Sequence, residues 1–208
     1  ESLDILDKDG SDARPEQIAA VTTALIASAT ASPGDYARAE RLLRAELDKR
    51  DRPVTLILAL ADLLNWTDQF ANAEQLYREI LKTQERHPAA LNNLALMLAL
   101  HGRGENGSLA LVDKAIQVLG PQSPLLDTRA TINLLLGKPK EAAADIEKSL
   151  AARPSAASFF HQSLVEQRLG NRQAARDSLV KANELGLKME ELHPLEWPSY
   201  RQLQKELQ

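Results

Sequence analysis

Four histidines, His87, His101, His161 and His193, are the side chains of this sequence best suited to metal ligation or proton transfer. None stands with a second histidine or a carboxylate at the His-Glu-x-x-His spacing that puts two ligands on one helix face. His87 and His193 each precede a proline and read as loop residues. His161 falls in a helical stretch and reads as a surface histidine. The chain has no cysteine, which excludes disulfides, thiolate metal sites and a cysteine nucleophile. Gly102, Gly104 and Gly107 follow a helical stretch with no Gly-Lys-Ser/Thr behind them, so they form no phosphate cradle. There is no Gly-x-Ser-x-Gly elbow. Acid pairs such as Glu190 and Glu191 lack the cleft that paired carboxylates need for glycoside chemistry. The run Asp7-Lys8-Asp9-Gly10, with Glu16 beyond it, has the outline of a calcium loop, but Ile5 occupies the first ligand position. It reads as a solvated acidic linker. The expectation is a non-enzyme with no catalytic residue, no metal and no cofactor.

Composition narrows the partners. The 208 residues carry a formal net charge of −4 with a pI near 5.6. That balance offers no electrostatic footprint for nucleic acid or an anionic membrane. The longest apolar run, Leu94 to Leu100, is far too short to span a bilayer. The sequence opens on Glu1 rather than Met and reads as a segment of something longer.

Any binding residues must be positioned by helices. Leu and Ala make up about a third of the chain and favour that state. Small residues recur at intervals of about 34: Ala27, Ala61, Ala95, Ala130 and Ser163. A second series lies behind it: Ala39, Ala73, Ser108, Ala142 and Ala175. Both sit in segments of helical period, and small side chains are needed where two helix axes cross closely. Five helix pairs follow: about Pro15–Ala31 with Tyr36–Lys49, Val54–Asn65 with Phe70–Thr83, Pro88–His101 with Gly107–Leu119, Leu125–Leu136 with Pro139–Ala152, and Ala156–Leu169 with Arg172–Leu185. Ser32-Pro33-Gly34-Asp35 reads as the turn inside the first pair. Residues 1–14 read as a polar tail with an apolar anchor at Leu3, Ile5 and Leu6. Met189 to Leu195 reads as a connector to a final helix, with Tyr200, Leu203 and Leu207 on its packed side and Trp197 against the fifth pair.

These residues resemble a tetratricopeptide repeat. The third repeat reads Leu91-Asn92-Asn93-Leu94-Ala95, and the second reads Ile57, Leu60-Ala61, Phe70, Ala73, Tyr77 and Ile80. The fourth ends Ala142, Ile146, Ser149, Leu150, Pro154; the fifth carries Gly170-Asn171-Arg172, Ala175, Leu179 and Ala182. Departures are Thr23 and Glu46 in the first repeat and Gln162 in the fifth, where the consensus has Leu. The resemblance implies an all-α fold: a right-handed α-solenoid of about five helix-turn-helix repeats with a C-terminal capping helix. Its divisions are 1–14 (linker), 15–186 (repeats of about 15–53, 54–87, 88–122, 123–155 and 156–186) and 187–208 (connector and cap). First helices would line a concave groove.

By register the groove sites are Leu58, Asp62 and Asn65 in the second repeat, Asn92, Asn93 and Leu96 in the third, and Asp127, Thr128 and Thr131 in the fourth. The fifth supplies Phe160, His161, Leu164 and Gln167. Asn92 and Asn93 can both donate to and accept from an extended peptide backbone, as the family's grooves often use Asn. No Lys or Arg reaches these sites before Arg168, which argues against a carboxylate clamp. Asp62 and Asp127 favour a neutral or basic segment. The implied function is a scaffold that binds an extended or helical segment of another protein. The alternative is an oligomerisation or spacer region of a larger protein, self-associating through the same repeats. No nucleic acid partner and no membrane insertion are expected.

Overall fold

The computed structural model describes residues 14–28, 30–104 and 107–207. The expected tail, its anchor at Leu3, Ile5 and Leu6 and the acidic run Asp7–Gly10 lie outside the described residues. Eleven α-helices are found among them, and no strand. They are α1 (Pro15–Ile26), α2 (Pro33–Lys49), α3 (Val54–Trp66), α4 (Phe70–Thr83), α5 (Pro88–Leu100), α6 (Ser108–Leu119), α7 (Ser123–Leu135), α8 (Pro139–Ala152), α9 (Ala156–Leu169), α10 (Arg172–Glu184) and α11 (Trp197–Leu207). The chain divides into two compact units, residues 1–85 and 86–208.

In the first unit α3 packs against α4, and α1 and α2 both pack on α3. Its core is Leu43 and Leu47 of α2, Leu56, Leu60, Leu63 and Leu64 of α3, and Tyr77 and Ile80 of α4. Each such apolar side chain withdrawn from water stabilises the fold by about 1.5–3 kcal/mol before entropy is counted. The first pair departs from the expected pattern. Helix α1 ends at Ile26, not near Ala31, and Ala27 is an exposed C-cap. In consequence α1 packs more extensively on α3 than on α2. The Ser32-Pro33-Gly34-Asp35 stretch is not a free turn but the start of α2. The Ser32 Oγ accepts the Asp35 N–H at 3.2 Å, and the Asp35 carboxylate accepts the Ser32 N–H at 2.8 Å. Pro33 fills the first helical position, so this is a capping box that outweighs the turn propensity of Pro-Gly.

In the second unit α5/α6, α7/α8 and α9/α10 form hairpins. The first helices α5, α7 and α9 neighbour one another in that order. Ala95, Ala130 and Ser163 of the first series, and Ser108, Ala142 and Ala175 of the second, show no exposure. Ser163 Oγ donates to the Ala175 carbonyl at 2.6 Å, so the two series meet at the α9/α10 crossing. A larger side chain at either place would separate the axes.

Helix ends show a further period. Gly102 (φ 69°), Gly137 (φ 73°) and Gly170 (φ 84°) take left-handed backbone after α5, α7 and α9. Asp68 (φ 59°) does the same after α3 in the first unit. Asp tolerates this region better than most side chains because its short carboxyl can bond locally, but glycine takes it without steric cost.

The chain after α10 is not a plain connector. It contains two short 3-10 turns, Met189–Glu191 and Pro194–Glu196. Leu192, Tyr200 and Leu203 bury against Phe160, Ala175, Leu179 and Ala182, with Trp197 packed alongside. The Trp197 indole N–H donates to the Met189 carbonyl at 2.8 Å. No helix among the described residues is long and apolar enough to cross a membrane.

Candidate functional site

The expected groove residues fall on the first helices of both units. In the first unit Leu58, Asp62 and Asn65 lie on α3 and are half-buried. Asp62 is not an open charge, because its Oδ1 accepts the Tyr77 hydroxyl of α4 at 2.6 Å.

In the second unit Asn92, Asn93 and Leu96 of α5 are half-buried. The Asn92 amide donates to the Asn93 Oδ1 at 3.2 Å. The Asn92 Oδ1 is buried and has no hydrogen-bond donor among the described residues. On α7 the same holds for the Asp127 Oδ1 and, one turn on, for the Thr131 Oγ1. Three acceptors on adjacent first helices are thus left without a donor.

Other sites depart from expectation. Thr131 is 7% exposed and Thr128 6%, because α7 has a first helix packed on either side. Phe160, expected in the groove, is fully buried and packs edge-on to Tyr200 with ring centroids 5.5 Å apart. Ser163 keeps its expected place at the crossing, so α9 is in register and Phe160 is covered instead by Leu192, Tyr200 and Leu203 of the C-terminal cap. Leu164 is half-buried and packs on the apolar clusters of both the α7/α8 and α9/α10 hairpins. Gln167 hydrogen-bonds the Glu206 carboxylate of α11.

His161 is the largest correction. It is not a surface histidine but is buried, with both ring nitrogens engaged. Nδ1 lies 2.9 Å from the Asp127 Oδ2 of α7, and Nε2 lies 2.9 Å from the Glu196 Oε1 of the second 3-10 turn. Burial pushes its pKa down, but the Asp127 and Glu196 carboxylates outweigh burial and hold it well above the ordinary histidine value. Glu196 is aimed by its own turn: its Oε2 accepts the His193 N–H at 3.0 Å, and the His193 Nδ1 accepts the Leu195 N–H at 3.3 Å. The His-Pro-x-Glu stretch at 193–196 is the sequence signal for this, since an acid three residues after a cap position bends back on it. The carboxylates flank the ring instead of converging with it on an ion. No group of His, Asp and Glu among the described residues is placed to hold a metal.

A second polar cluster lies outside the expected sites. Arg129 of α7 forks onto the Asp145 carboxylate of α8 at 2.8 and 2.7 Å and reaches Asp113 of α6 at 2.8 Å. Ser149 Oγ donates to the Ser123 carbonyl at 2.9 Å, tying the end of α8 to the start of α7. Both contacts are fully partnered and hold the hairpins together.

Helix pairs crossing at small residues, recurring at about 34 residues and ended by left-handed glycines, define the tetratricopeptide-repeat fold, an all-α solenoid of helical repeats. Solved structures agree. A thermophilic TPR protein of Thermus thermophilus matches with a TM-score of 0.73 at 18% identity, over 92% of this chain and 97% of that one. PilW, a widely conserved type IV pilus biogenesis factor, matches at 0.68 and 19% identity, over 92% of this chain and 90% of that one. MamA of Desulfovibrio magneticus matches at 0.61 and 12%, over 82% and 94%. At these identities the likeness is one of fold. No family model matches the sequence. No curated protein matches it either.

Proposed function

We propose that this chain is a non-catalytic protein-interaction module whose first-helix faces bind an extended segment of a partner. The observation that carries this reading is the set of buried acceptors on α5 and α7, Asn92 Oδ1, Asp127 Oδ1 and Thr131 Oγ1, which have no donor among the described residues. A buried acceptor left without a donor costs about 1–3 kcal/mol. The backbone N–H groups of an extended segment are suited to relieve that cost, and Asn93 and Leu96 add polar and apolar contact beside them. The charge preference of the ligand is milder than the sequence suggests. Asp62 is held by Tyr77, and the Asp127–His161–Glu196 group, with one imidazolium between two carboxylates, keeps one net negative charge. A neutral or basic segment remains the better fit. The fold likeness to PilW and MamA supports a scaffold role only in outline.

The test is a screen of extended peptides of graded charge against the intact chain, with bound residues mapped by NMR shift changes. Binding centred on Asn92, Asn93 and Leu96 is expected, and it should weaken at least tenfold in Asn92→Ala/Asn93→Ala. Binding confined to α6, α8 or α10, or unaffected by the double substitution, would refute the proposal.

A further inference from the structure

We infer that His161 is a proton-dependent clip: as an imidazolium it holds the C-terminal cap, residues 187–207, on the α9/α10 hairpin, and losing its proton lets the cap leave. Between two ionised carboxylates the geometry calls for two protons on the ring. Ionised, Asp127 and Glu196 can only accept hydrogen bonds, and each lies 2.9 Å from a different ring nitrogen. A neutral imidazole has one N–H and can serve one of them. The other nitrogen would then turn a lone pair on a carboxylate at hydrogen-bond distance, in a place with little water to screen the repulsion.

Glu196 belongs to the cap and Asp127 to α7, so the ring joins two otherwise separate elements. The charged groups that act on it are these two. The other elements packed on α9 turn apolar or paired residues toward it. From α8 these are Ala142 and Ile146, with Asp145 held by Arg129; from α10 they are Ala175, Leu179 and Ala182, with Ser178 bonded to Gln162. His193 stands on the same turn, where its backbone N–H bonds Glu196 and its Nδ1 accepts the Leu195 N–H. Apart from the clip, the cap is fastened by burial of Leu192, Tyr200 and Leu203, with Trp197 packed beside them, and by hydrogen bonds from Tyr200 to Asn183 and from Gln167 and Arg172 to Glu206, the last two near the end of α11. Those contacts must offset the ordering of the whole segment, so a buried charged clip can decide whether it stays docked. Release would bare Phe160, Leu179 and Ala182, an apolar end to the hairpin stack.

The sign follows from the raised histidine pKa. The clip is complete below about 6.5, the value in the unfolded chain, and its contribution is lost as pH rises through the folded-state value. Amide exchange on the intact 208-residue chain, corrected for the intrinsic pH dependence, is the test. Peptides covering 187–206 should lose protection at least tenfold as pH is raised, while those covering α7 and α8 keep theirs. The step should coincide with loss of the imidazolium signal of His161 by NMR on the unaltered protein, which needs no variant to fold. Glu196→Gln should move the step to lower pH. A cap whose exchange ignores pH, opens only with global unfolding, or follows the NMR signal of His193 instead of that of His161 would overturn the inference.

Discussion

Helix α7 has two unlike sides. Toward α8 and α6 its charged group and the serines at its start are partnered. Arg129 is forked onto Asp145 and bonded to Asp113, and Ser149 is bonded to Ser123, around Ala130 and Ala142 with no exposure at all. Elsewhere the same helix leaves the Asp127 Oδ1 and Thr131 Oγ1 without donors among the described residues, as α5 leaves the Asn92 Oδ1. The first side completes itself. The second carries buried polar atoms without partners among the described residues, and the proposed function assigns them to an outside ligand. The seam should therefore govern stability and the face should govern binding.

The seam gives the largest effects. Ala130→Leu forces extra volume into a closed helix crossing and should cost about 3 kcal/mol, read as a lower urea midpoint with unchanged slope. An unaltered midpoint would mean that the crossing is not closed. Arg129→Met leaves the buried Asp145 without its cation. It should cost about 2 kcal/mol, less than a fully buried pair because the guanidinium is partly exposed. Ser149→Ala removes one neutral hydrogen bond and should cost about 1 kcal/mol.

Two smaller predictions sharpen the contrast by reversing sign. Thr131→Val keeps the shape and deletes the unserved hydroxyl, so it should raise stability by up to about 1 kcal/mol. A loss of that size would show that the hydroxyl is served after all. Asp68→Gly should raise stability by about 0.5 kcal/mol, by relieving left-handed backbone that glycine occupies freely at the three later positions.

Much of the fold is legible in the sequence because the determinants are local and repeated. A small residue every 34 or so positions marks a close crossing, and a proline marks a helix start. Nine of the ten small positions are buried as expected; Ala27 is not. It fails because α1 stops one residue before it, and periodicity does not record where a helix ends. Ser32-Pro33-Gly34-Asp35 reads as a turn because turn and capping box use the same residue types, and only the reciprocal Ser32–Asp35 bonds separate them. The left-handed series at Asp68, Gly102, Gly137 and Gly170 is present in the sequence at the repeat interval and is open to the same reading as the alanines.

The site is less legible. Asn92, Asn93 and Leu96 fall on a half-buried face because α5 follows the regular period. Phe160 and His161 do not, because residues of the C-terminal cap cover them. The partners of His161 lie on two other elements, Asp127 and Glu196, at separations no local pattern encodes. Arg129 and Asp145 escape for the same reason.

The most direct test of a self-sufficient seam beside a ligand-seeking face is one pair of measurements on Asn92→Ala/Asn93→Ala: urea unfolding, and affinity for the best peptide from the charge-graded screen. A midpoint within about 0.5 kcal/mol of the parent together with at least tenfold weaker binding is the expected result. Unweakened binding, or a stability loss as large as that of Ala130→Leu, would contradict it.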